Sequence, residues 1–182
     1  MKTMIRFFVV VLLILGMNSL VFALEPIAPM IKVSDKPSGI FEELTQEQWN
    51  QLLETMLAEE RIPSKEEVGV PAPPESYYMG VGSIQDMDYV NLVSMESPEK
   101  IMSFYMDMLG EMPEWQWSEE FNIFYKADGE MNIERLMSFS IPVIEVKEVS
   151  DDDPFAELMF AHVDAEVRAG LKTLVQITYS SR

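Results

Sequence analysis

Apolar positions between residues 97 and 110 repeat with a helical period. Ile101, Phe104, Tyr105, Met108 and Leu109 fall on one face. Ser97 is placed to cap that helix, Pro98 to occupy its first position and Glu99 to meet the positive end of its dipole. Gly110 offers the left-handed conformation that closes a helix. A second helical pattern covers residues 45–60, where Trp49, Leu52, Leu53, Met56 and Leu57 share a face and Glu47, Glu54, Glu59 and Glu60 lie largely opposite. Thr45 and Gln48 have capping-box spacing, and Leu44 can staple onto Trp49. A third pattern starts with Asp153 as cap and Pro154, and carries Phe155, Leu158, Met159, His162, Val163 and Val167 as far as Gly170.

Strand patterns fill most of the remainder. Tyr77–Val81 and Asp88–Ser94 read as strands joined by a turn over Ser83–Met87, and the second is apolar on both faces, as in a central strand. Trp115 and Trp117 share a face if that stretch is extended. Glu120–Lys126, Met131–Ser140, Val143–Glu148 and Leu171–Tyr179 follow, with Asp128-Gly129 marking a hairpin turn. The last of these alternates irregularly, which predicts a bulge near Lys172-Thr173. The order β-β-α-β-β-β-α-β predicts an α+β fold: a two-layer sandwich of a mostly antiparallel sheet with helices on one face, preceded by an N-terminal helix.

Four stretches are expected along the chain. Residues 1–23 read as a signal peptide, with Lys2 and Arg6 before the apolar run Phe7–Leu15 and a cleavage site after Ala23. Retention of the segment as an anchor is the alternative. Residues 24–61 hold an arm rich in proline and the first amphipathic helix. Residues 62–74, with Pro63, Pro71, Pro73 and Pro74, read as a stiff linker, and residues 75–182 as the α+β domain. Export to the periplasm or the medium follows from the leader. With no cysteine in the chain, neither disulfides nor Cys-held lipid or metal can support the fold or the chemistry.

The run Ser97-Pro98-Glu99, the Phe104-Tyr105 pair, and Pro113-Glu114-Trp115 leading into strands resemble a recurrent type of small exported bacterial α+β domain. The resemblance covers about residues 68–180. It implies the fold and the compartment and no activity; the matching residues are of core and cap type.

Charge narrows the partners. The chain has 31 acidic against 13 basic residues and a net charge of −18. Losing Lys2 and Arg6 with the leader makes the remainder more acidic still. This charge disfavours nucleic acid and anionic membrane surfaces, and neither is expected as a partner once the leader is cleaved, because affinity for polyanions comes largely from Lys and Arg. Solvated acidic faces explain most of this charge, with a basic partner as the alternative.

Catalytic and metal signatures are missing. His162 is the single histidine, with no nucleophile motif beside it, so no Ser-His-Asp site and no zinc site is expected. Glu119 and Glu120 beside Trp115 and Trp117 admit a two-carboxylate hydrolase or a glycan groove, against a polar strand edge next to core tryptophans. Asp86 with Asp88, and Asp151–Asp153, lack the ligand spacing of a calcium loop and read as turn and cap. The 15 methionines, Met102, Met106 and Met108 among them, read as core filling rather than Cu(I) ligands. No catalytic, cofactor or metal residue is assigned. The expected function is that of an exported, non-enzymatic binding or scaffolding protein. Its candidate interaction surface is Trp49, Leu53, Trp115 and Trp117, and its candidate partner another envelope protein. The alternatives are the hydrolase and a carrier of a small apolar ligand.

Overall fold

A computed structural model describes residues 25–37, 39–59, 61–126, 134–135, 138, 140–150 and 159–180. The chain is α+β. Its strands are β1 (Ser76–Ile84), β2 (Met87–Ser94), β3 (Trp115–Ser118), β4 (Ile123–Lys126), β5 (Val143–Glu148) and β6 (Thr173–Tyr179). They form one antiparallel sheet in the order β1-β2-β6-β5-β4-β3, so the last strand lies between β2 and β5. The helices are α1 (Gln46–Glu59), α2 (Lys65–Val68), α3 (Pro98–Leu109) and α4 (Ala165–Arg168). Among the described residues the succession of strands from β1 onward matches the expected one with a change of members. Trp115–Ser118 supplies a strand, whereas the expected strand at 131–140, the turn at 127–130, the leader and the Asp151–Asp153 run lie largely or wholly outside the described residues.

Alternation along the strands gives the sheet two apolar faces. Val90, Leu92, Val175, Ile177, Ile144, Val146 and Phe124 point to the first face and are 5% exposed or less. Helix α3 packs there through Ile101, Tyr105 and Leu109. Its start is as expected, with the Ser97 side chain accepting from the Lys100 N–H and Pro98 in the first turn. Its end differs. Gly110 has φ −59° and stays right-handed, its N–H donating to the Met106 carbonyl.

On the second face Val93, Leu174, Tyr77 and Met79 meet Ile31, Phe160, Val163, Leu171 and Val167 of α4. The second face is thus covered mostly by arm and turn residues, with Val167 of α4 among them. The expected helix running from Asp153 to Gly170 is also not continuous. Residues 160–162 form a turn, Val163 makes a bridge to Val33, and α4 starts afresh on the Asp164 cap. His162 consequently sits in a turn. Leu174 explains the irregular alternation of β6 without a bulge, because both faces are apolar; the register shift lies instead in β1, between Tyr78 and Gly80.

The segment expected as a linker belongs to the core. Val68 and Val70 are 5% and 2% exposed in the first-face cluster, together with Ile27 and Ala28 of the arm. A capping box on α2 orders it: Ser64 Oγ accepts from the Glu67 N–H at 3.1 Å, and the Ser64 N–H donates to Glu67 Oε2 at 2.8 Å. The arm ties three elements. Ile27 N–H donates to Pro63 O (2.9 Å), Ile31 N–H to Tyr78 O (2.9 Å), Tyr78 N–H to Pro29 O (2.7 Å), and Ser34 N–H to His162 O (2.8 Å). It thereby pairs with the outer edge of β1, which would otherwise present unsatisfied backbone groups.

Candidate functional site

The four residues of the expected interaction surface do not come together. Trp49 is 0% exposed. Its indole N–H donates to the Ser34 carbonyl at 3.0 Å, and its ring lies 5.2 Å from Phe41. A side chain so enclosed offers no area to a partner. Leu53 is half-buried and, with Met56 and Leu57, faces Met30, Ile31, Met79 and His162 across a narrow groove. The groove has a volume of about 10 Å³, room for about one water. That is far below the ~300 Å³ or more of a small-molecule pocket, so the groove gives an apolar carrier no site. Burial lowers the pKa of His162 there.

Trp115 and Trp117 do share a face, on β3. Both are half-buried against the first-face core, and the Trp117 ring is 4.8 Å from Phe124. β3 pairs with β4 on one side and with no other strand among the described residues. Exposed Glu111 and Glu114 precede it and exposed Glu119 and Glu120 follow it. Gln116, on the opposite face of the strand, accepts a hydrogen bond from the Tyr125 hydroxyl at 2.8 Å. Glu119 and Glu120 are exposed, in the turn that follows β3. Among the described residues no group of three or more His, Asp or Glu side chains is placed to hold a metal.

A polar cleft missed by sequence reasoning lies at the other end of the sheet, with a volume of about 240 Å³. Three separate segments build it: Arg61 to Glu67, the β1–β2 hairpin through Val81, Ser83 and Asp88, and Tyr179 at the end of β6. The Arg61 guanidinium pairs with Glu67, whose carboxyl is held below its usual pKa chiefly by the Ser64 N–H. The Ser83 hydroxyl donates to Asp88 Oδ1. Tyr179 is only 7% exposed, and its phenol pKa is raised by burial first and then by Asp88 and Glu67, against Arg61. Its hydroxyl has no hydrogen-bond partner among the described residues. The sequence signal was weak because these side chains are up to 118 positions apart; the β2–β6 pairing brings Asp88 to Tyr179, and the packing of α2 on β6 brings the 61–67 segment beside them.

No family model, curated protein or solved structure matches the chain. Among the described residues no helix is long and apolar enough to cross a membrane.

Proposed function

We propose that this is an exported, non-enzymatic binding or scaffolding protein, released behind Ala23 and contacting another envelope protein through the β3 edge. The observation that carries the reading is that edge: a short strand, unpaired on one side among the described residues, with two half-buried tryptophans. An extended segment of a partner can add to such an edge by main-chain hydrogen bonds. The exposed carboxylates Glu111, Glu114, Glu119 and Glu120 at its two ends favour a basic segment. The packing unit behind it is a two-layer pair of α3 and the first face of the sheet, and the tryptophans close its border.

A photo-cross-linker in place of the exposed Gln116 tests this in the intact envelope. A discrete cross-linked species is expected, lost when Glu114, Glu119 and Glu120 are changed together to Gln. Absence of any such species, or turnover of glycosides or esters by the purified chain that Glu119→Gln abolishes, would overturn it.

A further inference from the structure

We propose that the groove lined by Met30, Met56, Met79 and His162 is a binding site for one soft monovalent cation of the Cu(I) class. It lies at the β1 end of the sheet, away from β3, and stands independently of the edge reading. Taken singly, these methionines read as core filling. What sets them apart is that thioethers from the arm, α1 and β1 line the same groove as the single histidine of the chain. Thioether sulfur is a soft ligand that suits Cu(I), and imidazole suits copper as well. Among the described residues no carboxylate lines the groove. Ca(II) and Mg(II), which seek oxygen, find none of their usual acidic ligands there. A divalent ion would also bury its charge without a counter-charge, at a higher cost than a monovalent one.

Two further observations favour an ion over packing alone. The free space in the groove, about 10 Å³, is close to that of one water-sized sphere, too small for an organic ligand and enough for a single ion. The His162 carbonyl accepts from the Ser34 N–H, but its imidazole has no hydrogen-bond or charged partner among the described residues. Burial keeps that ring neutral at neutral pH, with a nitrogen lone pair available to a metal. Asp164, the acid nearest in the chain, is occupied by Lys32 and by the cap of α4. Leu57 lines the same groove and is 39% exposed, which gives an ion a way in. The ligands stand on four segments, so a bound ion fastens the arm and α1 to the sheet and raises stability by mass action.

The experiment titrates silver nitrate, an air-stable probe of the same class, into the full chain in chloride-free buffer, with zinc and calcium nitrate as comparisons. Native mass spectrometry counts bound ions, circular dichroism follows unfolding, and NMR follows the imidazole of His162. One tightly bound Ag(I) is expected, with a shift of the imidazole signals and a melting temperature higher by about 5 °C or more at a hundredfold excess over Kd. Met79→Leu, which keeps the side-chain volume, and His162→Gln should each weaken binding by about tenfold or more, since even an outer-shell partner of a metal is worth that much. Met106→Leu, which changes an exposed methionine outside the groove, should leave it unchanged. The proposal is overturned by absence of tight Ag(I) binding, by an equal response to Zn(II) or Ca(II), by imidazole signals that do not move, by affinity unchanged in either groove variant, or by its loss in Met106→Leu. If His162→Gln fails to fold, Met56→Leu takes its place with the same expected loss.

Discussion

Trp49 carries more of the structure than any other aromatic of the N-terminal part. Its ring is wholly enclosed, and its N–H is satisfied by Ser34. Truncation removes the apolar area, leaves a cavity and frees the Ser34 carbonyl. Trp49→Ala is therefore expected to cost about 3–5 kcal/mol, measured as the shift in urea unfolding midpoint at constant slope. His162 gives the second residue-scale prediction. Its folded pKa lies below the ordinary 6.5 because burial disfavours the imidazolium. Between the two values the unfolded chain binds the proton and the folded chain does not. The His162 contribution is thus fully present above about pH 6.5 and is lost as pH falls toward the folded value. Asp164 and its partner Lys32, 2.8 Å apart, titrate outside that window, since the pairing lowers one pKa and raises the other. His162→Gln should flatten the fall in melting temperature between pH 7 and 5.5, and an unchanged slope would remove His162 as its source.

At the scale of elements, the local grammar of the chain was readable wherever a short-range signal sets the outcome. Ser97, Pro98 and the Ile101-Tyr105-Leu109 stripe define α3 without help from distant residues, and the structure keeps them in those roles. The Thr45–Gln48 box is present at the head of α1, with bonds of 2.9 and 3.3 Å. What the pattern could not give was decided by pairing. Trp115–Ser118 becomes a strand because β4 pairs with it, and the run through His162 is broken because Val163 bridges Val33. The Gly110 conformation follows the same rule, since a right-handed end with an N–H to Met106 needs no left-handed residue. The β1–β2 hairpin shows a local choice against propensity. Gln85 turns the chain between paired Ile84 and Met87 with φ 56°, where a side chain is strained. Gln85 is exposed, so its removal sacrifices no packing. Gln85→Gly should raise unfolding free energy by up to about 1 kcal/mol, the strain relieved less the entropy glycine adds. A destabilised hairpin in denaturant melts would contradict it.

Over the whole molecule, the question is whether residues 25–60 are an attachment or part of the fold. Proline density suggested a boundary at 62–74, because proline stiffens a chain whether or not the chain is buried. Burial is decided elsewhere, by Val68 and Val70 finding Ile27 and Ala28 on the first face, and by Ile31 finding Val93 and Val163 on the second. The arm also supplies the hydrogen bonds that close the edge of β1 at Tyr78. A chain beginning at residue 62 would lose Ile27, Ile31 and Trp49, each fully buried aliphatic residue contributing about 1.5–3 kcal/mol and the tryptophan more. That sum approaches the ~5–15 kcal/mol by which a domain of this size is stable at all. The truncated chain is therefore expected to lose its cooperative transition and to expose apolar surface. Thermal unfolding followed by circular dichroism, with binding of a hydrophobic dye, reads both. A sharp transition within a few degrees of the full chain would mean that residues 62–182 are self-sufficient and that the arm merely rests on them.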